Sequence, residues 1–250
     1  MEYLAGFLIA VCIALTGVGA GTITAPILIL FLHVPTGIAV GTALAYAAIV
    51  KLIVAPPQIV RKQVNYRILG YMLLGGMPGV ILGALLFKKA AQHGNWSAVY
   101  WALGGIVVLS SGFHIYRYFF PPKADRVVAN RAPLIAALMF PVGAEVGFSS
   151  SGAGALGTVI LLGLTSLPAS VVVGTDLVFG FIVAVIGSGI HLIDGTGDST
   201  LLMKLVIGGV IGAIVGVIIS PRIPQKHLKL VLSFWLLFIG VQFCLKAAKL

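Results

Sequence analysis

Charge is what this chain has least of. Of 250 residues only 9% are Asp, Glu, Lys or Arg, and just six are acidic. Soluble domains carry about 25% charged residues. A chain that is 60% hydrophobic, with a mean hydropathy of +1.13, is therefore expected to be an integral membrane protein. Cysteine is nearly absent: Cys12 and Cys244 both lie in apolar segments, which suggests neither a disulfide framework nor a metal site. No Gly-x-x-x-x-Gly-Lys-[Ser/Thr] loop occurs, so ATP-driven transport would need another subunit. There is no His-Glu-x-x-His and no nucleophile–base pairing, so neither an enzyme nor a bound cofactor is expected. The start, Met1-Glu2-Tyr3, has no basic n-region, and a cleaved signal peptide is not expected. The net charge of +10 does not suggest nucleic-acid binding, because the basic residues sit in short loops between apolar segments, where they set topology. The expected surroundings are the lipid bilayer, as a single chain or a homo-oligomer.

Glycine, in contrast, is abundant, with 32 residues. It clusters where an apolar run should not tolerate it, at Gly17-Val18-Gly19-Ala20-Gly21-Thr22 and at Ser151-Gly152-Ala153-Gly154. In hydrocarbon every backbone N–H and C=O needs a partner, so broken backbone survives only where protein buries it or a cavity is lined by it. The clusters occupy the same point of an internal repeat. Gly19, Ala20, Gly21, Pro35, Gly41, Thr42, Leu44, Gly75, Gly76, Gly79 and Gly83 recur, without a gap, 133 residues later: Gly152, Ala153, Gly154, Pro168, Gly174, Thr175, Leu177, Gly208, Gly209, Gly212 and Gly216. Matched interruptions in two halves point to a transporter's binding site. The plainer alternative is that these glycines only let helices pack closely.

The organisation that follows is all-α: a transmembrane repeat at 1–118, a cytoplasmic linker at 119–132 and a second repeat at 133–250. Each repeat opens with a broken segment, 3–33 or 134–167. Its arms are shorter than the ~20 residues a span needs, so each is either one discontinuous span or a re-entrant hairpin. Thr22 and Thr24 begin the second arm, and Pro26 suits a first helical turn. Helices are predicted at about 35–60, 68–87, 96–118, 169–192, 200–219 and 228–248. The segment Lys88-Lys89 to Gly94 reads as a loop, and Asp194-Gly195-Thr196-Gly197-Asp198 reads as a solvated turn. The glycines of 68–87 form a small-residue packing face.

The positive-inside rule does not separate the two topologies. Arg61, Lys62, Arg67, Arg117, Lys123, Arg126 and Arg131 are inside in both. Arg222, Lys226 and Lys229 join them in an inverted repeat, whereas Lys204, Lys246 and Lys249 join them in a parallel one. Either way ten basic residues lie inside and five outside. The short arms favour the inverted repeat.

A helix start offers unpaired N–H groups and about half a positive charge, which suits an anion. Gly19, Gly21, Gly152 and Gly154 mark the two breaks, and Thr22, Thr24, Thr42, Ser149, Ser150, Ser151, Thr158 and Thr175 offer hydroxyls around them. Each hydroxyl can equally bond only its own backbone. Lys51 is the one basic residue deep in a helix, on a face with Ala48, Ala55 and Gln58, although Pro56-Pro57 should kink that helix. An intramembrane cation is costly and is by default functional; the alternative is a folding ion pair or a lysine that snorkels. Asp176 and Glu145 are carboxylates within membrane segments, able to carry a coupling proton or simply to close the bundle. His191 reads as a solvated or hydrogen-bonded structural histidine. Outward movement of a monoanion would gain about 2.3 kcal/mol per 100 mV of inside-negative potential, so export needs no coupled ion.

Gly17-Val18-Gly19-Ala20-Gly21-Thr22-Ile23-Thr24-Ala25-Pro26, Val40-Gly41-Thr42 and Val173-Gly174-Thr175-Asp176-Leu177 resemble the TauE/SafE sulfite-exporter family over nearly the whole chain. The resemblance implies a secondary carrier of the cytoplasmic membrane that moves sulfite, sulfoacetate or related small sulfur-containing (sulfonate, organosulfonate) or organic anions, usually outward. The first half departs from the family's pattern at Ala43, where many members look to carry a polar residue, which leaves Asp176 without a symmetric partner. The expected function is export of such an anion by alternating access. A passive anion channel, or a carrier of a non-sulfur organic anion, is the competing expectation.

Overall fold

The computed structural model describes residues 1–16, 20–94, 96–119, 132–150, 156–220 and 225–248. Their order is α1 (Glu2–Thr16), α2 (Ala20–Leu30), α3 (Thr36–Val60), α4 (Tyr66–Gln92), α5 (Trp96–Phe119), α6 (Ala132–Ser149), α7 (Leu156–Leu164), α8 (Ala169–Ile193), α9 (Ser199–Ile219) and α10 (Gln225–Ala247). No strand occurs among the described residues. Among the described residues five helices, α3, α4, α6, α8 and α9, are long and apolar enough to cross a membrane. The glycine clusters at 17–19 and 151–155, and residues 120–131 of the predicted linker, lie outside the described residues.

Local chemistry sets the helix ends. Asn65 caps α4, its Oδ1 accepting from Ile68 N–H at 3.0 Å. Asp198 caps α9 in the same way, accepting from Thr200 N–H at 2.8 Å and Leu201 N–H at 3.0 Å. Such side chains satisfy amides that the first turn leaves unpaired. Both α3 and α8 end on a residue of positive φ, Lys62 at 56° and Gly195 at 71°. The next amide then folds back, Gln63 N–H to Gln58 O and Thr196 N–H to His191 O, each at 2.9 Å.

Three expectations change. α4 runs to Gln92, so Lys88 and Lys89 are helical rather than looped. Lysine suits a helix's last turn, and Lys88 reaches Asp194 at 2.5 Å. The 194–198 segment is therefore not a free solvated turn: it supplies that ion pair, the α9 cap and a bond to His191. Pro26 lies in the middle of α2 rather than its first turn, because α2 begins at Ala20.

Glycines allow two helix pairs to touch backbone to backbone. On α4, Gly75, Gly79 and Gly83 face the carbonyls of Ala136, Phe140 and Ala144 on α6, each too close for a Cβ. On α9, Gly208 and Gly212 face the carbonyls of Tyr3 and Phe7, and Gly216 faces Val11 and Ala14 of α1. In both pairs the contacts advance together along the two chains, so the helices run the same way. The central pair is opposed: Gly41 meets His191 and Gly187 meets Leu44, while Gly174 meets Gln63 just beyond the other end of α3. α3 and α8 are thus antiparallel. One end of the bundle gathers Glu2–Lys204 (3.3 Å) and Lys88–Asp194. The basic 61–67 segment lies at the opposite end.

Candidate functional site

The core is mostly apolar, and among the described residues the buried side chains that can carry a full charge near neutral pH include one lysine and two carboxylates, Lys51, Glu145 and Asp176. Lys51, on α3, is 3% exposed, and Asp176, on α8, is 1% exposed. An intramembrane cation is expensive unless something compensates it. Among the described residues no carboxylate stands within 4 Å of the Lys51 ammonium, and Asp176 lies on the helix packed against α3. Asp176 in turn holds the start of α7: Thr158 Oγ1 donates to its Oδ2 at 2.7 Å. Gly157 lies so close that a Cβ there would strike Oδ1. A carboxylate at a helix start meets the positive end of the helix dipole. Neither charge recurs in the repeat. Lys51 corresponds to Ala184 and Asp176 to Ala43, both buried.

Thr42 and Thr175 do not join this cluster. Each faces a loop of the other half, at opposite ends of the bundle. Thr42 Oγ1 accepts from Asp198 N–H at 3.2 Å. Thr175 Oγ1 accepts from Asn65 N–H at 2.9 Å and donates to Val171 O at 2.7 Å. The neighbouring Gly41 and Gly174 abut the carbonyls of Thr196 and Gln63, with no room for a side chain.

Glu145 is buried on α6, and the Ser149 hydroxyl donates to its backbone carbonyl at 2.9 Å. Ser149 also borders a small apolar pocket with Ala25, Pro26 and Phe243, apart from Lys51. Ser150 is buried at φ 61°, and Thr24 is fully buried. Gly19, Ser151, Gly152 and Gly154 lie outside the described residues, as do the surroundings of Gly21 and Thr22. His191 is hydrogen-bonded and structural. Its Nε2 donates to Gly147 O at 2.9 Å and its Nδ1 lies 3.2 Å from Thr196 Oγ1, with Phe87 packed edge-on.

Sequence reasoning passed over Gly157, Asn65 and Asp198. A signal was present for the last two: Asn65 and Asp198 stand 133 residues apart, as do Thr42 and Thr175.

A family model described as "Sulfite exporter TauE/SafE" matches residues 3–243. The "Probable membrane transporter protein YjnA" of Bacillus subtilis (strain 168) is 29% identical over 248 residues, covering 96% of this chain and 97% of that protein. No solved structure matches. With five helices able to cross a bilayer, this is a multi-pass protein of the cell membrane, and the chain belongs to the TauE/SafE family of membrane transporters.

Proposed function

We propose that the protein is a secondary carrier that exports small sulfur-containing anions, of the sulfite or sulfoacetate type, by alternating access between two inverted repeats, 1–118 and 133–250. The observation that carries this reading is Lys51, a lysine only 3% exposed in the central antiparallel helix pair. A fixed cation there lowers the cost of bringing an anion into hydrocarbon. The inverted arrangement is supported by the opposed run of α3 and α8, which occupy the same place in the repeat. It follows if α1–α2 and α6–α7 are re-entrant hairpins, since each then returns the chain to the side from which it started. The basic end, with Arg61, Lys62 and Arg67, faces the cytoplasm.

In this reading the two breaks line the path. Gly19, Gly21, Thr22 and Thr24 contribute from the first half, and Ser149, Ser150, Ser151, Gly152 and Gly154 from the second. Thr42 and Thr175 stand at its two ends, and Asp176 and Glu145 are the groups available for ion coupling. The sulfur-containing class is supported by the description of the matching family.

The test is counterflow in proteoliposomes, offering sulfoacetate, sulfite, sulfate, taurine and acetate in turn. Saturable exchange of one sulfur-containing anion is expected. Exchange of acetate alone would move the substrate to the non-sulfur organic anions. Open currents linear in voltage would make the protein a channel.

A further inference from the structure

Lys51 and Asp176 are buried on the packed α3–α8 pair, and neither they nor the buried Glu145 of α6 has a charged counterpart in the other half; charge balance between Lys51 and Asp176 constrains transport. We propose that Asp176 is a tethered counter-anion, competing with the carried anion for Lys51 and the start of α7, and that it takes up one proton for each anion loaded. This rests on the reading of the site as one for small anions.

With Asp176 ionised, Lys51 and Asp176 sum to zero. A monoanion added beside them leaves one uncompensated negative charge in a buried place, which is strongly unfavourable. A proton on Asp176 removes that excess and frees Lys51 for the anion. The proton comes from the water to which the site is open, forms an O–H on the carboxylate, and returns to water with the anion on the far side. A monoanion then crosses with no net charge, and its direction follows its own gradient and the pH difference. Gly157 and Thr158 are positioning residues. The Thr158 hydroxyl donates to Oδ2, and the bare Gly157 admits Oδ1 to the helix start. The charged groups on elements packed against α8 are Lys51 on α3, Glu145 on α6, and Arg67, Lys88 and Lys89 toward the ends of α4; α7 carries none. Of these, Lys51 is the buried cation, on the helix packed most extensively against α8.

The test uses isethionate, a sulfonate whose single charge does not titrate near neutral pH, with purified full-length protein in proteoliposomes. Below saturation, net flux should rise about tenfold for each unit by which pH falls, the slope of one proton, and an imposed potassium diffusion potential should not drive it. In Asp176→Asn the pH slope should vanish and the potential should drive flux. Wild-type flux that follows the potential and ignores pH overturns the proposal. A second measurement needs no transport. Lys51→Met should show the infrared band of a protonated carboxyl that is missing from wild type and from the Lys51→Met/Asp176→Asn double variant. If isethionate is not carried, that choice of substrate fails, and the infrared comparison still decides: no band in Lys51→Met means Asp176 does not answer to Lys51, and the proposal falls.

Discussion

Thr42 and Asp198, 156 residues apart, are joined by a hydrogen bond in which the Thr42 hydroxyl accepts the Asp198 amide at 3.2 Å. The same bond recurs with the halves exchanged, Thr175 accepting from Asn65 at 2.9 Å. One lies at the end that carries Glu2 and Asp194, the other at the basic end. Each ties a helix of one half to the loop of the other, and each sits beside a glycine that leaves the loop no clearance.

These two bonds should control opposite faces of the protein. Thr42→Val and Thr175→Val each delete one acceptor, at about 0.5–1.5 kcal/mol. Thr42→Val should raise labelling of cysteines placed on α3 and α8 by membrane-impermeant reagents from the Asp194 end, and Thr175→Val from the basic end. Equal changes from both sides in both variants would show that the bonds only hold the fold.

Lys51→Met should abolish anion-induced thermal stabilisation, and it should also lower the melting temperature, because the buried Asp176 loses a cation from the packed α3–α8 pair and has to take up a proton. The double variant Lys51→Met/Asp176→Asn should regain most of that stability without regaining anion binding. Unchanged affinity in folded Lys51→Met would remove Lys51 from the site.

Glycines in α4 should divide sharply. Gly79→Ala drives a methyl into the Phe140 carbonyl and should lower the melting temperature in detergent. Gly70→Ala meets nothing within 4 Å and should be neutral, or stabilise by up to ~1 kcal/mol through helix propensity. A similar loss at both positions would contradict the α4–α6 contact.

Lys62 holds a left-handed conformation, φ 56°, where the other half has Gly195. Lys62→Gly removes that strain and should stabilise the fold by about 1 kcal/mol, measured by thermal unfolding. Lys62→Ala should not, since alanine keeps the strain.

Membrane residence, the helical class and the 133-residue duplication were determined by the sequence alone, because apolar length and recurring Gly, Pro and Thr are properties of the chain itself. Packing roles for the α4 glycines and a bonded structural role for His191 were legible for the same reason. The direction of α8 against α3 was not. Basic residues counted the same in both topologies, and the antiparallel run of α3 and α8 is read from contacts between residues far apart in the chain. The bond from Thr158 to Asp176 was equally hidden, since it joins two helices whose facing sides the sequence does not reveal. The anchoring of the acidic 194–198 segment depended on Lys88 arriving from another helix. Such pairings depend on which faces meet across the bundle, and tertiary packing alone decides that.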